Sequence, residues 1–159
     1  MMPAAPTIRV QAAPFSIEAE MVALAGGRID IGGIASFVGL VRATDGVTAL
    51  TLEHYPGMTE RAMGAIAAEA IDRWELLGCT IIHRVGRLEP GAPIVLVLTA
   101  AAHRTAALEA CHFLIDWLKT RAPFWKQETF ADGRQEWVSA RDADATAAAR
   151  WSAAAPIKR

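Results

Sequence analysis

Thirteen of the sixteen basic residues are arginine, and only three are lysine: Lys119, Lys126 and Lys158. Two of these bracket one short segment, Leu118-Lys119-Thr120-Arg121-Ala122-Pro123-Phe124-Trp125-Lys126-Gln127-Glu128. Lysine can do what arginine cannot. It can lose its proton near neutral pH, act as a base, or become a nucleophile when its pKa falls. Clustered cations lower one another's pKa, and burial adds to this. One lysine of the pair could then work neutral while the other stays charged and holds an anion. Lys119, Arg121 and Lys126 would form a positive patch beside Phe124 and Trp125. The residue types also admit a structural reading, because cations in the last turn of a helix are favoured by the macrodipole.

A second group lies upstream. His103 and Arg104 follow a predicted strand and open a predicted helix, where free backbone N–H groups and the helix dipole favour an anion such as phosphate or carboxylate. Arg42 closes Gly39-Leu40-Val41-Arg42 and is a third candidate cation. Geometry constrains how these groups combine. Arg104 and Lys119 are separated by roughly 22 Å on one helix at 1.5 Å per residue. A small ligand cannot reach both, so a single site using both needs two copies of the chain, paired across a two-fold axis.

The elements that must position these residues are legible as hydrophobic periodicity and breakers. Ile8 to Gln11 reads as a strand. Ser16 caps a helix to about Ala25, with Gly26-Gly27 as its stop. Ile31 to Arg42 is β-rich with three glycines, which signals a bulge or a close backbone approach. After the Asp45-Gly46 turn, Thr48 to Tyr55 is a strand. Met58 to Leu77 has helical spacing and is expected to end at Gly78. Strands at Thr80–Val85 and Ile94–Ala100 are joined through Glu89-Pro90-Gly91. A long helix runs from His103 to Thr120, and Pro123 stops it. Phe124–Phe130 and Gln135–Val138 make a hairpin around Asp132-Gly133, and Asp142–Trp151 a last helix. The fold class is α+β. Residues 1–7 are expected to be a disordered N-terminus, 8–151 one domain, and 152–159 a flexible tail.

Bulk properties narrow the function classes. The net charge of −1 argues against a general nucleic-acid binder. The longest apolar runs fall short of a membrane span, and the N-terminus lacks the basic start and apolar run of a secretion signal. Cys79 and Cys111 sit among apolar neighbours and read as reduced core thiols of a cytosolic protein. The four histidines lack metal-ligand spacing, so no zinc site is expected.

Four strings carry a resemblance: Thr51-Leu52-Glu53-His54-Tyr55-Pro56-Gly57-Met58-Thr59-Glu60, Ile82-His83-Arg84-Val85-Gly86, Ala102-His103-Arg104, and Leu118 through Lys126. In order and spacing, from about Ile8 to Trp151, the chain resembles the large, catalytic subunit of molybdopterin synthase. The resemblance implies an α/β hammerhead with an added antiparallel β subdomain. It implies a sulfurtransferase that converts cyclic pyranopterin monophosphate, precursor Z, to molybdopterin by installing a dithiolene. The sulfur would come from a thiocarboxylate at the C-terminal Gly-Gly of a small ubiquitin-like partner. The implied assembly is a heterotetramer around a homodimer of this chain, with no metal or other cofactor in the sulfur step. By position, Lys119 and Lys126 match the family's two lysines, and Arg42, His103 and Arg104 its anion-binding side. Gln127 and Glu128 continue the substrate-lining stretch. Leu40 stands where the family usually has lysine, so its backbone, not a charge, is expected to line the pocket, and Val41 beside it is expected to bind substrate. Arg141 is expected to lean into the neighbouring subunit's site.

Two other classes compete with this reading. One is a Schiff-base lyase using Lys119. The other is a scaffold that binds a ubiquitin-like protein and performs no chemistry.

Overall fold

The computed structural model describes residues 4–138 and 142–152; Arg141 and the outermost termini lie outside that range. In chain order the elements are β1 (Thr7–Gln11), α1 (Ile17–Ala25), β2 (Gly33–Leu40), β3 (Val47–His54), α2 (Met58–Trp74) and β4 (Gly78–Arg84). There follow β5 (Gly86–Leu88), β6 (Pro93–Ala101), α3 (Arg104–Arg121), β7 (Phe124–Phe130), β8 (Gln135–Trp137) and α4 (Asp142–Ala149). The architecture is α+β with two four-stranded sheets. One has the order β1-β4-β6-β2, the other β5-β3-β7-β8.

The first sheet is covered on both faces, so its central strands carry apolar residues on both sides. Ile81 and Val97 point into the core shared with α2 and α3, together with Met63, Ile66, Phe113 and Leu114. Ile82, Leu96 and Leu98 point the other way, against Phe15, Met21 and Leu24 of the α1 region. Phe113 is fully buried and packs edge-on against Trp74. A side chain so enclosed is worth about 3–5 kcal/mol against alanine. Burial also lifts the thiols of Cys79 and Cys111, to about 12 and about 11, so both remain protonated.

Several boundaries differ from the sequence reading, each for a physical reason. β1 starts at Thr7, inside the stretch expected to be disordered, because Thr7 pairs in parallel with Thr80. α2 ends at Trp74, three residues early. Glu75 takes the left-handed conformation (φ 50°), and the amide of Leu76 donates back to the Ile71 carbonyl. The apolar pattern continues to Leu77 because Leu76 is itself buried. Gly78 therefore does not stop the helix. It opens β4, where a Cβ would come within 2.6 Å of the Leu24 side chain.

The glycines of the 31–42 segment do both jobs expected of them. A Cβ on Gly32 would collide with the Ala102 carbonyl oxygen at 1.9 Å, and the register slips between Gly39 and Leu40. β5 escaped the sequence reading because it is only three residues long. It leaves the β4–β6 connection to pair with β3 in the second sheet.

Candidate active site

α3 positions candidate groups at both ends. At its C-terminus, Pro123 forces Ala122 out of helical geometry (φ −85°, ψ 123°). The chain reverses through a tight turn in which the Phe124 amide donates to the Ala122 carbonyl, 3.0 Å, and β7 begins at once. Lys119, in the last turn, and Lys126, two residues beyond Phe124 on the same strand face, are thereby brought to one cavity.

The turn is latched from beneath. The fully buried Thr59 hydroxyl donates to the Pro123 carbonyl and accepts from the Tyr55 amide, both at 3.0 Å. Glu60 accepts from the Gly57 amide at 2.9 Å. The Tyr55–Glu60 string is thus the mount for the lysine turn. It puts none of its own side chains into the cavity.

The cavity has a volume of about 570 Å³. Arg42, Lys119 and Lys126 bring positive charge to it, and Glu128 and Asp144 bring carboxylates. Leu40 and Val41 also line it. Val41 is buried, held by the Ala92 carbonyl and the Gly91 amide, whereas Leu40 is 55% exposed. Phe124 forms part of the wall, but Trp125 alternates to the other face and packs on Tyr55 at 5.1 Å.

Two expected members are elsewhere. Arg121 pairs with Glu69 at 3.0 Å and lies over the Trp117 ring, because its place on α3 aims it at α2. Gln127 alternates away from Lys126 and Glu128 and does not line the cavity.

A further titratable residue of the lining is His83, in the buried run of β4 and 8% exposed. Its ring stacks on Phe124 at 3.8 Å, and Nδ1 lies 2.8 Å from the Arg84 carbonyl. Burial chiefly, with help from the charges of Lys126 and Lys119, pulls its pKa down to about 4. A histidine directly after the Ile81-Ile82 pair of β4 was the available signal.

At the N-terminal end of α3, His103 and Arg104 line a different cavity of about 680 Å³, with Arg73, Trp74, Glu75 and Glu109. His103 is the N-cap residue and its side chain makes no capping bond. The helix length thus keeps the two candidate groups in separate cavities of the same chain.

A family profile described as "MoaE protein" matches residues 10–121. The chain belongs to the MoaE family. It is 56% identical over 147 residues to the molybdopterin synthase catalytic subunit of Pseudomonas aeruginosa, covering 91% of this chain and 97% of that one. The molybdopterin biosynthesis MoaE protein of Burkholderia ambifaria superposes with a TM-score of 0.81 at 51% identity, covering 94% and 99% of the two chains. A complex of subunits 1 and 2 of the molybdopterin-converting factor from Helicobacter pylori shares the fold at 21% identity, with a TM-score of 0.67 and coverage of 87% and 92%. Of the four strings that carry the resemblance, Ile82–Gly86 and Leu118–Lys126 contribute residues to the cavity at the C-terminal end of α3.

Proposed function

We propose that this chain is the catalytic subunit of a molybdopterin synthase, a sulfurtransferase. It moves sulfur from the C-terminal thiocarboxylate of a small ubiquitin-like partner to precursor Z, forming the dithiolene of molybdopterin. The observation that carries this reading is the meeting of Lys119 and Lys126, two of only three lysines, in one cavity of a MoaE-family chain. The Helicobacter pylori relative is a two-subunit complex, which supports a small-subunit partner. A cytosolic setting fits two buried, free thiols.

The residue types fit the chemistry. Precursor Z brings a cyclic phosphate and the partner a thiocarboxylate, so two anions must approach. Arg42, Lys119 and Lys126 offset that repulsion and stabilise charge developing as sulfur attacks. Lys119 serves proton transfer or holds the acyl end of the tail, and Lys126 positions by charge. Arg104 and His103 complete the anion side from the second copy of a two-fold dimer, since one helix cannot present both its ends to one small ligand.

The test uses purified precursor Z and thiocarboxylated partner. Lys119→Ala is expected to abolish dithiolene formation while the complex still assembles. Turnover at the wild-type rate would exclude this function for the residue. Substrate trapped on Lys119 by borohydride would instead identify a Schiff-base enzyme.

A further inference from the structure

The cations of the Lys119 cavity supply hydrogen-bond donors, and an anionic substrate needs them. A pterin also carries ring N–H donors of its own, and these need acceptors. Glu128 and Asp144 are carboxylate acceptors in the lining, but each cancels positive charge that the phosphate requires. His83 offers the alternative. The Arg84 carbonyl can only accept, so its 2.8 Å contact fixes the proton on Nδ1 and leaves a lone pair on Nε2. Stacking on Phe124 fixes the ring plane. Nε2 has no partner among the described residues, yet it is not among their sealed, unpartnered polar atoms. Its open side is therefore the cavity. The groups that act on the ring electrostatically are Lys119 from α3, Lys126 from β7 and His54 from β3, and together with burial they hold it neutral.

We infer that Nε2 of His83 is a substrate-binding atom of this cavity, accepting a hydrogen bond from an N–H donor on the pterin ring. The inference rests on the function proposed above and adds a specificity determinant to it. It accounts for a buried imidazole near the end of β4, and for its being neutral: an acceptor without charge reads the heterocycle and leaves the field for the anions intact.

The test is equilibrium binding of precursor Z to the complete complex, with the partner carrying an unactivated carboxylate so that nothing turns over. His83→Phe keeps an aromatic ring for the stack but removes the Nε2 lone pair, and with it the Nδ1 bond to the Arg84 carbonyl. It is expected to weaken binding about tenfold, with a cooperative thermal transition confirming that it is folded. His83→Gln, which restores an acceptor, is expected to recover part of the loss. Should the phenylalanine variant fail to fold, imidazole ¹⁵N NMR of the wild type answers the same question. Saturating precursor Z is expected to shift Nε2 while Nδ1 stays put. Equal affinity in a folded His83→Phe, or an unmoved Nε2 signal, overturns the role of His83 and leaves sulfur transfer standing. A wild-type complex that binds no precursor Z overturns both.

Discussion

The two ends of α3 hold the same kind of residue in different states of completion. At the C-terminal end, Lys119 comes from a helix, Lys126 from β7, His83 from β4 and Arg42 from the end of β2. Four elements converge, the turn is latched by Thr59, and one wall is a buried, neutral imidazole. At the N-terminal end, His103 and Arg104 are adjacent in sequence and exposed, and their cavity carries Glu75 and Glu109 as well as cations. The first end is assembled by the fold. The second presents an exposed pair of anion-binding groups at a cavity of its own, apart from Lys119 and Lys126. The difference fits the proposal that the folded monomer finishes one half of the site and takes the other half from a second copy.

Removing the assembled half should have the largest effect. Beyond the loss expected of Lys119→Ala, Lys119→Arg is also expected to reduce dithiolene formation by about a thousandfold or more, because arginine keeps the charge but cannot exchange a proton near neutral pH. Substantial turnover by the arginine variant would reduce the role of Lys119 to charge alone.

A smaller effect concerns stability. His83 titrates at about 4 when folded, against 6.5 ordinarily, so as pH falls the unfolded chain takes up the proton first. The stability that neutral His83 confers is complete above about pH 6.5 and is lost as pH drops towards 4. A gap of that size is worth roughly 3 kcal/mol. In urea titrations at pH 7 and pH 4, the stability advantage of wild type over His83→Phe should shrink by about that amount. An advantage independent of pH would mean that His83 is not buried neutral.

The smallest effect is expected at Arg121, which shares the last turn with Lys119 but points to Glu69. Arg121→Ala should cost about 0.5 kcal/mol or less, as for an exposed ion pair, and leave turnover near wild type. A large loss of turnover would widen the cavity's machinery to α2.

Most elements were legible because their signals are local. The Ser16 cap, the Pro123 stop and the helical stripe of α3 each rest on residues close in sequence. The pairing of β3 with β5 and β7 was not legible, since register between distant strands leaves no local trace. The same limit applies to the site. Lys119 and Lys126 were found from a compositional asymmetry, whereas Arg121 and Gln127 were included through nearness in sequence and the structure turns them elsewhere. The missed His83 sits between Ile82 and Arg84 near the end of a buried strand. Only the fold shows that one edge of that strand opens on the cavity.

In the proposed dimer the two ends of α3 meet across two copies of the chain. The direct test mixes Lys119→Ala with Arg104→Ala, each expected to be inactive alone, allows subunits to exchange, and measures dithiolene formation. Random exchange makes half of the dimers mixed, each with one intact composite site. Recovery of about a quarter of wild-type activity is therefore expected. Subunit exchange with no recovery would contradict a shared site and return His103 and Arg104 to a separate role.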